Sequence, residues 1–84
     1  PELYFHRGNA LAADGRYADA VADFTHAVDL RPDYAEAYHN RATAHVDAGD
    51  LDAALADYTR AVELDPDDPD AVNGRAAVHS RQKN

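Results

Sequence analysis

The sequence predicts an all-α fold, an α-solenoid of five helices, and three observations lead to it. The chain of 84 residues matches itself at an offset of 34 residues, which is typical of stacked helical hairpins. Apolar residues recur with the spacing of one helical face, and glycine and proline recur where helices would turn and end. The aligned pairs include Tyr4/Tyr38, Arg7/Arg41, Gly15/Gly49, Ala20/Ala54, Phe24/Tyr58, Ala27/Ala61, Leu30/Leu64 and Pro32/Pro66.

The first predicted hairpin consists of two helices that are joined at Gly15. Its first helix is predicted from about Glu2 to Asp14, and glycine suits the turn because it adopts a positive φ at little cost. Its second helix ends before Pro32, because proline lacks the N–H group that a helix needs. The apolar face of the second helix is formed by Tyr17, Ala20, Val21, Phe24, Ala27 and Val28.

The second hairpin repeats this order, and a closing helix follows it. Its helices are predicted from about Tyr34 to Ala48 and from Asp50, which caps the helix after Gly49, to a stop at Pro66. Asp68-Pro69 predicts an N-cap followed by proline at the first helical position. The closing helix then runs from about Pro69 to Ser80 and frays through residues 81–84. We expect one domain, 1–84, with repeats at 1–34 and 35–68 and a closing helix or partial third repeat at 69–84.

Composition limits the classes of partner. Sixteen acidic residues against eight basic ones give a formal net charge of −8, which repels phosphate backbones and anionic lipid. No apolar run approaches the ~20 residues that span a bilayer. We therefore expect neither nucleic acid nor a membrane as a partner. The chain begins at Pro1 without Met, so we expect a fragment of a longer protein. It has no cysteine, which leaves the redox compartment undetermined, and of the compartments we expect the cytoplasm.

The recurring residues resemble the tetratricopeptide repeat family over essentially the whole chain. The pattern is Tyr4, Gly8, Leu11, Tyr17, Ala20, Phe24, Ala27 and Pro32, and it recurs as Tyr38, Ala42, His45, Leu51, Ala54, Tyr58, Ala61 and Pro66. The resemblance implies hairpins stacked into a right-handed superhelix, with a concave face lined by the first helix of each unit. It also implies a protein–protein interaction scaffold, which binds a partner's peptide or helix in that groove.

By the same resemblance, the concave face should display residues from all three units. We expect the peptide-binding groove to contain Glu2, Phe5, His6, Asn9, Glu36, His39, Asn40, Thr43, Asp47, Asp70 and Asn73. An asparagine amide both donates and accepts hydrogen bonds, so Asn9 and Asn40 could anchor a peptide backbone whatever its side chains. The alternative is that they are ordinary surface asparagines.

The resemblance also bears on one known class of ligand. Some members of the family hold the C-terminal carboxylate of a chaperone with two asparagines and three cations. Asn9 and Asn40 stand at the asparagine positions, but Phe5, Asp70 and Gly74 replace the cations. An acidic tail would then meet acidic side chains without compensation, so we expect a basic or apolar peptide instead. The acids Glu2, Glu36 and Asp70 have an alternative role, since each lies in a first helical turn and complements the helix dipole.

Arginine and aspartate also recur at the repeat offset. Arg7, Arg41 and Arg75 are equivalent, and so are Asp23 and Asp57. We predict that these arginines pair with these aspartates between helices. Such pairs fix how the two helices align along each other more than they stabilise the fold.

Neither a metal site nor an active site is predicted, and no cofactor is expected. The five histidines, which include His45 and His79 at equivalent positions, lack HExxH spacing and cysteine partners. We expect the carboxylates to lie on solvated helix faces, where nothing would shift their pKa for catalysis. The histidines His6 and His39 leave open a pH-sensitive groove near pH 6.

A second hypothesis of a different class is self-association, as a homo-oligomer or within a larger superhelix. The ends of solenoids expose apolar faces unless they are capped. The closing helix has a polar outer side, so we expect it to cap that end of the solenoid. The opening helix carries Leu3, Tyr4 and Leu11, so we expect any homo-oligomer to form there.

Overall fold

The computed structural model describes residues 1–82, and in this range every regular element is an α-helix. Its elements are α1 (Glu2–Ala13), α2 (Tyr17–Leu30), α3 (Ala35–Ala48), α4 (Leu51–Leu64) and α5 (Pro69–Gln82). Each helix packs on the next, and α3 also contacts both α1 and α5. The predicted all-α fold of five helices is therefore confirmed. None of the helices among residues 1–82 combines the length and the apolar character needed to cross a bilayer.

The turns and caps follow the local chemistry of the sequence. Gly15 has φ +78° and Gly49 has φ +89°, in the left-handed region that glycine adopts without a Cβ penalty. The Asp50 carboxylate accepts a hydrogen bond of 3.2 Å from the Ala53 backbone N–H at the start of α4. At the start of α5, the Asp68 carboxylate accepts in the same way from the backbone N–H two residues later, at 2.9 Å.

The helix ends differ from the predicted ones by one or two residues. Helix α1 ends one residue before Asp14, and α3 begins one residue after Tyr34. Helix α5 continues beyond Ser80 through Gln82, whose side-chain amide donates to the carboxylate of Asp52 on α4. This contact ties the end of α5 to the start of α4, so residues 81 and 82 are helical rather than frayed. The rest of the predicted frayed end, residues 83 and 84, lies outside the described residues.

The core is built from small side chains around a few aromatic rings. Ala20, Ala27, Ala37, Ala42, Ala54 and Ala71 are each 0% exposed, so the helices approach closely at these positions. Phe24 is also fully buried, and a Cβ added at Gly8 would lie 2.7 Å from its ring. A second cluster forms around Tyr58 and Val78 between α3, α4 and α5. The core therefore continues from one hairpin to the next, as stacking requires.

Two arginine–aspartate pairs join the first and second helix of each hairpin. Arg7 donates two hydrogen bonds to Asp23, at 2.7 and 2.8 Å. Arg41 donates two to Asp57, at 2.8 and 2.7 Å, and a third of 3.2 Å to Thr25 on α2. The hydrogen bonds from Arg7 lower the pKa of the Asp23 carboxyl, although burial opposes this. The predicted pairing is confirmed for both hairpins.

The ends of the solenoid differ from the prediction. Of the three apolar residues that were expected to be exposed on α1, only Leu3 is, at 77%, because Tyr4 and Leu11 pack against the core. The outer side of α5 is polar only in part, because Asn73, Ser80 and Arg81 are exposed but Val72 is also 37% exposed and lines an apolar cleft with Leu55 of α4. The 34-residue internal repeat explains the difference, because it gives α5 the same apolar face with which α3 packs against α4.

Candidate functional site

Helix α3 contacts both α1 and α5, and two asparagines join α1 to α3. The Asn40 side-chain NH2 group donates a hydrogen bond of 2.8 Å to the Asn9 side-chain oxygen. The Asn40 oxygen lies 3.0 Å from Nδ1 of His39. Among residues 1–82, the NH2 group of Asn9 donates no hydrogen bond, so its two N–H donors face solvent. The sequence placed both asparagines on this face but did not predict their direct contact.

A shallow concavity of about 190 Å³ opens beside this asparagine pair. Four of the predicted groove residues line it together. Small side chains on α1 and α3 make room for it, and the ring of Phe24 lies beneath. Its lining consists of Asn9, Asn40, Thr43 and Asp47, with Ala12, Phe24 and Ala44.

Tyr58 contributes to this face although the sequence analysis assigned it only to the core. Its hydroxyl lies 2.9 Å from the Thr43 hydroxyl, and its ring meets the His39 ring edge-on, with centroids 5.5 Å apart. A Cβ at Gly74 would lie 2.6 Å from the Tyr58 ring, so glycine admits the ring beside α5. A signal was present in the sequence, because the equivalent residue is Phe24 and the added hydroxyl needs a hydrogen-bond partner when it is buried.

Phe5 does not lie where the sequence analysis placed it. It was expected on the concave surface, but only 7% of it is exposed. Its ring packs against Tyr34, with centroids 5.0 Å apart, and against Phe24 at 6.1 Å. An aromatic ring gains more from burial than from contact with water, so Phe5 turns into the core. The neighbouring His6 remains exposed.

Of the three acids that recur at the repeat offset, Glu2 is neutralised by an ion pair, whereas in the described part of the chain Glu36 and Asp70 are not. Glu2 forms an ion pair with Arg31, and its pKa is lowered, first by a backbone hydrogen bond and then by the Arg31 side chain. Glu36 and Asp70 are exposed, and within residues 1–82 neither forms a salt bridge. Asp47 adds a further carboxylate at the concavity. The face around α3 and α5 is therefore negative.

The remaining predicted groove residues are spread along the helices. Glu36, Asp70 and Asn73 are exposed but lie outside the concavity. The core-side histidine His45 points its Nε2 at the carboxylate of Asp57, 3.6 Å away. Across the described residues 1–82, no three histidine or acidic side chains converge as metal ligands would.

Comparison with known proteins places this geometry in a family. The model of the tetratricopeptide repeat matches residues 5–69 and 39–84. A solved structure described as the first TPR of Spaghetti (RPAP3) bound to the HSP90 peptide SRMEEVD superposes with a TM-score of 0.97. The two sequences are 30% identical, and the superposed region covers 100% of this chain and 67% of the other chain.

Two domains of human RPAP3 are also similar. Its first TPR domain has a TM-score of 0.89 and 31% identity, over 93% of this chain and 61% of the other. Its second, in complex with the HSP70 peptide SGPTIEEVD, has a TM-score of 0.88 and 28% identity, over 92% and 64%. The Hsp70-Hsp90 organizing protein of Triticum aestivum is 50% identical over 36 residues, which are 43% of this chain and 6% of that protein.

Proposed function

We propose that this chain, which belongs to the tetratricopeptide repeat family, binds a peptide or helix of a partner protein on the face formed by α1, α3 and α5. It acts as an interaction scaffold and performs no catalysis. Residues 1–34 and 35–68 serve as its two repeats, and 69–84 as a closing helix or partial third repeat. The observation that carries the proposal is the Asn9–Asn40 amide pair beside an open concavity. Two similar solved structures, described as complexes with chaperone peptides, support the same class of function.

The amide pair supplies what an extended peptide backbone needs. Asn9 is held by Asn40 in one orientation, so its free N–H donors are preorganised toward solvent. Preorganisation reduces the entropy lost on binding. A backbone carbonyl of the peptide accepts from Asn9, and its side chains extend toward Thr43 and Asp47. Recognition at this point is therefore largely independent of the peptide sequence.

Charge sets the preference among peptides. Glu36, Asp47 and Asp70 are exposed acids on or beside the groove. Phe5, which replaces one of the cations that hold a carboxylate in other members of the family, is buried in the core. An acidic ligand would meet like charges, whereas lysine or arginine side chains would be attracted. We therefore propose a basic or apolar peptide, in contrast to the acidic peptides SRMEEVD and SGPTIEEVD bound by the similar domains.

Self-association is the alternative function. Leu3 is 77% exposed and Leu30 is 61% exposed, and the ion pair between Glu2 and Arg31 brings these two chain segments together. An exposed apolar patch is a candidate interface. Sedimentation equilibrium over a concentration series separates the two functions, since a strict monomer contradicts the homo-oligomer.

Peptide titrations test the proposed groove. We expect a basic-apolar peptide to bind more tightly than the same sequence with its lysines replaced by glutamates, and more tightly than SRMEEVD. Asn9→Ala should weaken binding about threefold to tenfold, because a hydrogen bond contributes about 0.5–1.5 kcal/mol. Asp47→Asn should weaken binding of the basic peptide. Asp14→Asn, which removes an exposed charge outside the groove, should leave that binding unchanged. Preference for SRMEEVD would contradict the charge argument.

A further inference from the structure

His39 occupies in the second repeat the position that Phe5 occupies in the first, 34 residues earlier. The ring of Phe5 packs against Phe24, with centroids 6.1 Å apart. The ring of His39 packs in the same way against Tyr58, the residue equivalent to Phe24, with centroids 5.5 Å apart. A phenyl ring is therefore sufficient for this contact between the two helices of a hairpin, and the ring nitrogens of His39 serve a purpose other than packing.

One of these nitrogens begins a chain of hydrogen bonds that ends at the groove. Nδ1 of His39 lies 3.0 Å from the side-chain oxygen of Asn40. An amide oxygen only accepts hydrogen bonds, so Nδ1 carries the ring proton and donates it. The NH2 group of Asn40 then donates to the side-chain oxygen of Asn9 at 2.8 Å. The chain thus has one direction, and its last member is the NH2 group of Asn9 beside the concavity.

The position of the proton on His39 determines that direction. A neutral imidazole carries its proton on either Nδ1 or Nε2, and the other nitrogen is an acceptor. With the proton on Nε2, Nδ1 would accept from the NH2 group of Asn40, and the Asn40 oxygen would turn toward Asn9. The NH2 group of Asn9 would then be used within the pair, and its oxygen would be left for the ligand. The same two asparagines can therefore present either donors or an acceptor to the groove.

Contacts with Tyr58 and Thr43 hold the imidazole in place. The planes of the His39 and Tyr58 rings are inclined at 64°, and the Tyr58 hydroxyl lies 2.9 Å from the Thr43 hydroxyl. The Thr43 hydroxyl in turn donates to the backbone oxygen of His39 at 3.2 Å. Because packing fixes the ring, the site of its proton is the variable that orients the two amides.

We propose that His39 is a positioning residue of the peptide groove, which acts through Asn40 to make Asn9 a hydrogen-bond donor. The groove therefore selects a backbone carbonyl of the ligand at this point rather than a backbone N–H group. This inference rests on the proposed peptide-binding function of the same face.

Two substitutions of His39 separate its proton from its packing. His39→Phe supplies the ring that the first hairpin has and removes the donor. His39→Asn keeps an N–H donor on the atom bonded to Cγ, as Nδ1 is, and removes the ring. The probe is an acetylated and amidated peptide of alternating lysine and valine, titrated by calorimetry at pH 8.

The two variants should affect binding and stability in opposite ways. His39→Phe should bind the peptide about threefold more weakly, the effect of one neutral hydrogen bond, and should melt close to the wild type. His39→Asn should bind as the wild type does but melt at a lower temperature, because it loses the contact with Tyr58. In an Asn9→Ala background His39→Phe should cause no further loss of binding, because both changes act on the same donor.

The protein without peptide gives a second readout. In NMR spectra that correlate the ring protons with the imidazole nitrogens at pH 8, His39 should carry its proton on Nδ1. Its signals are identified by their loss in His39→Phe. This measurement reports the direction of the hydrogen-bond chain directly, and a residue that served packing alone would not require either tautomer.

Three outcomes would overturn the proposal. They are a proton on Nε2, undiminished peptide binding by His39→Phe, and a loss in His39→Asn as large as that in His39→Phe. If no peptide binds to the wild type, the proposed function fails instead, and the tautomer of His39 still decides whether the hydrogen-bond direction is correct.

Discussion

Replacing Arg41 with leucine should destabilise the protein far more than the same replacement of Arg7. The two arginines make the same two-pronged contact with aspartates that are almost equally buried. Their own exposures differ, because the Arg41 side chain is 18% exposed and the Arg7 side chain is 60% exposed. Water therefore reaches the ion pair of the first hairpin and screens it, whereas the pair of the second hairpin is enclosed.

The expected magnitudes follow from this difference. Removing one partner of a buried ion pair costs about 3–5 kcal/mol, because the other charge remains buried and uncompensated. Arg41→Leu should therefore lower the free energy of unfolding by about 3 kcal/mol, and Tm by more than about 10 °C in a domain of this size. Arg7→Leu should cost much less, because solvent screens an ion pair whose cation is exposed. An 84-residue domain has a total stability of only about 4–13 kcal/mol.

Urea unfolding followed by circular dichroism at 222 nm measures both variants. The assay belongs at pH 8, so that no imidazolium replaces the missing cation. The double variant Arg41→Leu/Asp57→Leu should recover part of the loss, because it leaves no buried charge. Equal effects of Arg41→Leu and Arg7→Leu, or a double variant as unstable as the sum of its single variants, would refute the reasoning.

Three further variants test the packing, the electrostatics and the caps. Gly8→Ala should lower the free energy of unfolding in urea by about 1–3 kcal/mol, because its Cβ would lie 2.7 Å from the Phe24 ring. A more stable variant would mean that the higher helix propensity of alanine outweighs this close contact. Arg7 lowers the folded-state pKa of Asp23, so this carboxylate stabilises the fold above its unfolded pKa of about 3.9, and the contribution is lost as pH falls through the lower folded value. The cost of Asp23→Asn should accordingly shrink between pH 7 and pH 3, and a cost independent of pH would contradict the pairing. Asp50→Ala should lower the unfolding free energy by about 1 kcal/mol in a thermal melt through loss of the N-cap, whereas an unchanged Tm would show that the cap contributes nothing.

The fold was predictable from the sequence because its determinants are local and repeated. Glycine at a positive φ and aspartate at a helix start act within a few residues, so Gly15, Gly49 and Asp50 were assigned correctly. The arginine–aspartate pairs were predictable because one contact occurs twice at the same offset. The extent of α5 was not predictable in this way, since its last turn is held by the contact of Gln82 with Asp52, thirty residues away in the sequence.

The site was less predictable, because it depends on how each helix is rotated against its neighbours. Asn9 and Asn40 were placed on one face by their positions, but their hydrogen bond depends on an interhelical distance that no local rule provides. Phe5 was assigned to the surface by position alone, although Tyr34, which lies outside any helix, covers it. The apolar pattern predicted only that the ring of Tyr58 is buried. It could not show that the hydroxyl of this buried ring reaches the edge of the groove.

The most direct test of the proposed function is an NMR amide-shift map of the chain saturated with a basic-apolar peptide. The account predicts that the largest shifts cluster on α1 and α3 around Asn9, Asn40, Thr43 and Asp47. Shifts that instead cluster around the exposed Leu3 and the end of α2, with the groove unchanged, would contradict it.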